Sequence, residues 1–172
     1  MLKKIVVLVS VVLVSFSLSY HSTASSATLT KKAKKAIVIA GFGTSYPESL
    51  NAITHIGDDI KAAFPDFEVR YAFTSNIIRK IWQKRQHDQD FLSQYKEIAH
   101  DFIYVKTPLA TIADLQNEGF RSIYVQPLHI FAGESYYDLA SYVEALNSIK
   151  TLKKRWMPFD ALLLSRPALG KP

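Results

Sequence analysis

The 172-residue chain contains no cysteine, which excludes disulfides, thiolate metal sites and cysteine nucleophiles. That count tolerates an oxidising compartment without indicating one. Glycine is scarce at six residues, and no glycine-rich fingerprint is complete. The pair in Gly41-Phe42-Gly43-Thr44-Ser45 lacks the third glycine and the downstream acidic residue of a dinucleotide site. It also lacks the Gly-Lys-Ser/Thr of a P-loop. No Gly-x-Ser-x-Gly elbow occurs, which argues against a serine hydrolase. There is no internal repeat. Acidic residues are outnumbered, 15 against 21 Lys and Arg, for a formal charge of +6. The excess is scattered apart from Lys31 to Lys35 and Lys150 to Arg155, which read as solvated faces. Such a charge favours an anionic ligand, but no nucleic-acid motif accompanies it.

What is present is an ordinary globular composition, 48% hydrophobic and 21% charged, long enough for one domain with a core. Met1-Leu2-Lys3-Lys4 is a positive n-region, and Ile5 to Leu18 is an apolar run broken only by serines. Ser22-Thr23-Ala24 and Ser25-Ser26-Ala27 offer small-residue cleavage sites. This is the pattern of a secretory signal peptide over residues 1–27. The competing reading is a membrane anchor. Against it stands a run shorter than the roughly 20 residues of a span. The expectation is export to the periplasm, with no stable membrane span after cleavage. Residues 28–35 read as a flexible lead-in, 36–165 as an α/β domain, and 166–172 as the start of a strand-end loop.

Ala36 to Ala40 is a continuous apolar run, as expected of a strand buried on both faces. It enters the Gly41–Ser45 loop. A helix opens near Ser45 or Tyr46, with Pro47 and Glu48 in its first turn and Leu50, Ile53, Ile56, Ile60 and Ala63 on its buried face. Phe67 to Phe73 is a second strand. Thr74-Ser75-Asn76 caps a helix carrying Ile77, Ile78, Ile81 and Trp82. Gln83 to Gln94 is polar without a clean period. Thr107-Pro108 starts a helix with Leu109, Ile112, Ala113 and Leu115 buried, and Gly119 caps its end. Ile123 to Gln126 is the third strand. Glu134 to Ile149 is a helix with Leu139, Tyr142, Val143 and Leu146 inward, and Ala161 to Leu164 is the fourth strand. The alternation predicts an α/β fold, a parallel sheet with helices on both faces of flavodoxin or Rossmann type. Gly41–Ser45, Thr74-Ser75 and His129 then share one edge, where such sheets bind ligands.

His129 is the one histidine expected at a strand end. It is either hydrogen-bonded there as a structural residue, or it is a neutral imidazole that binds a divalent metal or takes a proton near neutral pH. Glu134, five residues on and across Gly133, is either a helix-start acid favoured by the dipole or a carboxylate facing the same cavity. The Gly41–Ser45 loop is either a tight turn or an anion site of backbone amides. His55, His87 and His100 read as surface residues, and His87 or His100 as accessory ligands in the alternative; His21 leaves with the leader.

Four blocks resemble a known family in order and spacing: Ile39 to Ser45, Ala72 to Lys80, Thr107-Pro108-Leu109, and Val125 to Ile130 with Gly133-Glu134. The family is the anaerobic cobalt chelatases, sirohydrochlorin cobaltochelatases of the CbiK type, and the leader resembles that of an exported branch. The resemblance implies ATP-independent insertion of Co2+, in some members Fe2+, into sirohydrochlorin during cobalamin biosynthesis, with no organic cofactor. It implies two similar α/β domains with the tetrapyrrole between them, residues 36–165 as the N-terminal one, and 166–172 as the start of a connection to a missing second domain. It implies His129 as metal ligand and acceptor of pyrrole protons, with Thr44, Ser45, Thr74 and Ser75 lining the cleft. Phe42, Gly43 and Glu134 join that lining, and Phe42, Phe131 and Tyr136 are expected as an apolar wall. A second histidine and a carboxylate ligand are implied for the other domain, so the chain alone is expected to have little insertion activity and to self-associate. The alternative is a periplasmic protein that holds a metal or tetrapyrrole without inserting one.

Overall fold

The computed structural model describes residues 33–169. The expected signal peptide, most of the lead-in and the last three residues lie outside them. Four strands, β1 (Lys35–Gly41), β2 (Phe67–Phe73), β3 (Ser122–Pro127) and β4 (Ala161–Leu164), form one parallel sheet in the order β2-β1-β3-β4. The helices between them are α1 (Leu50–Ala63), α2 (Asn76–Arg85), α3 (Gln89–Gln94), α4 (His100–Ile103), α5 (Pro108–Asn117) and α6 (Glu134–Asn147).

β1 is central, so both its faces are covered and its apolar run needs no alternation. Ala36, Val38 and Ala40 point to one face, where Ile112 and Leu115 of α5 and Leu139 and Val143 of α6 pack with Ile123, Val125 and Leu162. Ile37 and Ile39 point to the other. There they meet Leu50 of α1, Trp82 of α2, Phe102 and Ile103 of α4, and Val69, Tyr71 and Phe73 of β2. The expected layers are therefore present, with helices on both faces.

Caps read from the sequence close the helices. The Ser75 hydroxyl accepts from the Ile78 amide at the start of α2, and the Thr107 hydroxyl from the Ala110 amide at the start of α5. Gly119 takes a φ of +89° after α5, a region open to glycine.

The differences have local causes. Pro47–Ser49 form a 3-10 turn and α1 begins at Leu50. Only Leu50 and Gly57 of α1 are buried; Ile56 and Ala63 are exposed, because α1 covers only the β1–β2 half of its face. Leu109, Ala113 and Tyr142 are likewise exposed rather than inward, so the stripes of α5 and α6 are narrower than their apolar spacing. The polar segment after α2 folds into α3, anchored by half-buried Phe91 and Leu92, and α4 was not anticipated.

Candidate functional site

The strand order reverses between β1 and β3, so the loops leaving their carboxyl ends diverge. A crevice at that switch point is where open α/β sheets take ligands. The two loops are tied at their bases. The Leu128 amide donates to Ala40 O at 2.8 Å, and the Thr74 amide at the end of β2 donates to Gly41 O at 2.8 Å.

The loop after β1 is fixed through its carbonyls. Phe42 O accepts from the Ser75 amide at 3.2 Å. Thr44 O accepts from Trp82 Nε1 at 2.8 Å and Ser45 O from the Arg85 guanidinium at 2.7 Å. The Thr44 hydroxyl accepts from the Tyr46 amide at 3.1 Å. Among the described residues, the amides of Phe42, Gly43, Thr44 and Ser45 have no acceptor. Gly43 has φ +94°, and a Cβ there would lie 2.6 Å from the Phe73 ring. Both the backbone region and the close approach therefore require glycine. Ser75 is buried with its hydroxyl used as the α2 cap, so it holds the turn and offers nothing outward.

His129 is half-buried on the loop after β3. Its Nε2 lies 3.5 Å from Thr74 Oγ1, and Thr74 Oγ1 lies 3.3 Å from Ser135 Oγ in the first turn of α6 and 3.3 Å from Gly41 O. Nδ1 is buried and has no hydrogen-bond partner. The Tyr136 and His129 rings meet edge to face, with centroids 6.3 Å apart and planes at 72°. Burial holds the His129 pKa below the ordinary imidazole value, because a low dielectric disfavours the charged ring. The ring is therefore neutral near neutral pH, with a lone pair to offer.

The structure thus brings together His129, Thr74, and Ser135, which the sequence did not single out. Glu134 is in the first turn of α6 but exposed, with no hydrogen bond to His129. His87 and His100 are exposed; His100 stacks on Tyr104 at 4.3 Å. Among the described residues, no group of three or more His, Cys, Asp or Glu could hold a metal. Of the expected apolar wall, Phe42 is 56% and Phe131 67% exposed, but Tyr136 is buried beneath the histidine with its hydroxyl turned to Ser165 O. Tyr46, Ile77, Ile130, Tyr137 and Leu169 are exposed on loops or first helical turns of the same edge. Single apolar residues in loops carry no period, which is why the sequence did not mark them.

The fold and site define an α/β domain with a neutral histidine at the switch point, on an edge that also carries exposed apolar residues. A family model for cobalt chelatase (CbiK) matches residues 35–171, and the chain belongs to that family. It is 32% identical over 120 residues to the sirohydrochlorin cobaltochelatase of Salmonella typhimurium, which covers 69% of this chain and 39% of that protein. It is 27% identical over 113 residues to the sirohydrochlorin cobaltochelatase CbiKC of Nitratidesulfovibrio vulgaris, covering 66% and 34%. The chain therefore spans well under half the length of these relatives.

Proposed function

We propose that the chain acts in sirohydrochlorin cobaltochelation, inserting Co2+ into sirohydrochlorin with His129 as metal ligand and proton acceptor. The observation that carries this reading is the imidazole itself: half-buried, neutral, with an unpartnered ring nitrogen, at the switch-point crevice. In the reaction two pyrrole N–H bonds break, their electron pairs bind Co2+, and two protons leave. A neutral histidine supplies an exchangeable ligand or a base of suitable pKa for that exchange. Fe2+ has similar ligand chemistry and is the second metal of this reading. Exposed Phe42 and Phe131 suit the flat face of a macrocycle. The unpartnered amides of the Phe42–Ser45 loop, with Thr74 beside them, suit its peripheral carboxylates. Glu134, exposed at the mouth of α6, would meet solvent or incoming metal rather than carboxylates. The leader supports export to the periplasm, tested by finding a mature N-terminus after Ala24 or Ala27.

The test is anaerobic insertion followed by the change in the tetrapyrrole spectrum. Turnover above the uncatalysed rate that disappears in His129→Ala supports the reading. Turnover that survives His129→Ala refutes it. The lone imidazole favours one further reading, a holder of metal or tetrapyrrole without insertion. A shifted tetrapyrrole spectrum with no Co2+-dependent turnover would select it.

A further inference from the structure

The basic run at residues 150–155 lies in the loop between α6 and β4. That loop is pinned at both ends. Asn147 Nδ2 donates to Leu162 O at 2.6 Å, and Phe159 packs against the core on the α5–α6 side. Between these anchors the Thr151 hydroxyl donates to Lys153 O at 2.8 Å, and the Trp156 amide donates to the same oxygen at 2.9 Å. The turn carries Lys150, Lys153, Lys154 and Arg155, with no acidic residue between positions 148 and 159. All four cations are exposed. Among the described residues, none of the four forms an ion pair.

The same turn also displays large apolar side chains. Leu152 is fully exposed, Trp156 is 65% exposed, and Ile149 is exposed beside them. Singly, such residues need no explanation. Interleaved with four unpaired cations, they form one amphipathic surface. A nucleic acid would need rings on which bases stack. The loop has one such ring between residues 149 and 156, with the Arg155 guanidinium already 5.3 Å over it, and Ile149 and Leu152 offer none. An anionic bilayer uses both components: leucine and tryptophan enter the headgroup–acyl boundary, and lysine and arginine meet the phosphates. The loop precedes β4, whereas His129 follows β3, and the two strands are parallel. The loop therefore stands at the opposite end of the sheet from His129, so a chain docked through it keeps the histidine edge turned to water.

We propose that residues 149–156 are a docking loop for the surface of an anionic phospholipid bilayer, with Leu152 and Trp156 inserted and Lys150, Lys153, Lys154 and Arg155 on the headgroups. The test titrates the whole chain with vesicles of equal parts phosphatidylglycerol and phosphatidylcholine, and with phosphatidylcholine vesicles for comparison. The chain has two tryptophans, and Trp82 is fully buried, so a blue shift in emission reads Trp156 leaving water. The expected result is a blue shift on the anionic vesicles, little on the neutral ones, and reversal by added salt, which screens the attraction. Every variant carries the same N-terminal apolar run, so differences between variants report the loop. Lys153→Gln/Lys154→Gln should weaken binding more than tenfold, at roughly fivefold per cation. Leu152→Ser should weaken it about tenfold. Both changes fall on exposed side chains and leave Trp156 in place. The absence of a shift on anionic vesicles overturns the proposal, as does an equal shift on both vesicle types or an unchanged affinity in Lys153→Gln/Lys154→Gln. A single-stranded oligonucleotide that displaces the chain from the vesicles would overturn it in favour of nucleic acid.

Discussion

At the scale of the residue, His129 sets a pH dependence. Its pKa is lowered by burial from the ordinary value of 6.5. Between the lowered value and 6.5 the unfolded chain binds more protons than the folded one. Acidification through that window therefore favours unfolding, and the native advantage is complete above it. Urea midpoints followed from about pH 7.5 to about pH 5 should fall more steeply for the native chain than for His129→Gln. Parallel curves would remove the argument. The same shift keeps the lone pair available below the pH at which an ordinary histidine half-protonates, so the acid limb of Co2+ binding should also lie below 6.5. His129 was legible in the sequence because an apolar strand run ends just before it and no other histidine has that context. Ser135 was not. A serine after Glu134 reads only as a polar first-turn residue, and its contact with Thr74 spans 61 positions of sequence.

At the scale of the element, α1 packs closely on β2 at a glycine. A Cβ on Gly57 would lie 1.9 Å from the Tyr71 hydroxyl, so the glycine lets the helix sit against the ring. The hydroxyl is buried with no hydrogen-bond partner, and burial pushes the phenol pKa up. An unpaired buried hydroxyl is a cost that phenylalanine removes with little change of shape. Tyr71→Phe should thus raise the unfolding free energy by about 1 kcal/mol, whereas Gly57→Ala should lower it by about 1–3 kcal/mol through overpacking. Chemical denaturation measures both, and a destabilised Tyr71→Phe would show that the hydroxyl has a partner in solution. The strands Phe67–Phe73 and Ala161–Leu164 were readable to the residue, because the alternation of the first and the apolar run of the second both end at turn residues. Helix faces were less readable. The apolar spacing of α1 runs the length of the helix, but the sheet beneath offers cover only along β1 and β2, which a one-dimensional pattern does not reveal.

At the scale of the whole molecule, that uneven cover leaves an apolar strip. Parallel sheets are ordinarily covered on both faces; among the described residues α5 and α6 cover one face while α1, α2 and α4 cover only half of the other. On the remaining half, Tyr124 is 36% and Leu163 55% exposed, in register with each other and with Ile37. With Ile60, Phe64 and Phe67 they line a groove of about 490 Å³. The second apolar surface is the rim of the strand-end crevice, including Ile130 at 63% exposed and Phe131. Apart from Ser165, whose carbonyl accepts from the Tyr136 hydroxyl beneath the histidine, no groove residue touches the His129 network. The two surfaces should therefore respond separately to substitution. A polarity-sensitive dye such as anilinonaphthalene sulfonate should fluoresce with the native chain. Leu163→Lys should reduce that signal and leave Co2+ binding unchanged, because a charged tip in the groove opposes dye burial without touching the crevice. Phe131→Lys should reduce tetrapyrrole binding while preserving the groove's share of the fluorescence. If Leu163→Lys left the dye signal intact while Phe131→Lys removed it, the groove would be closed in solution and the strand-end rim would be the apolar surface that takes the dye among the described residues.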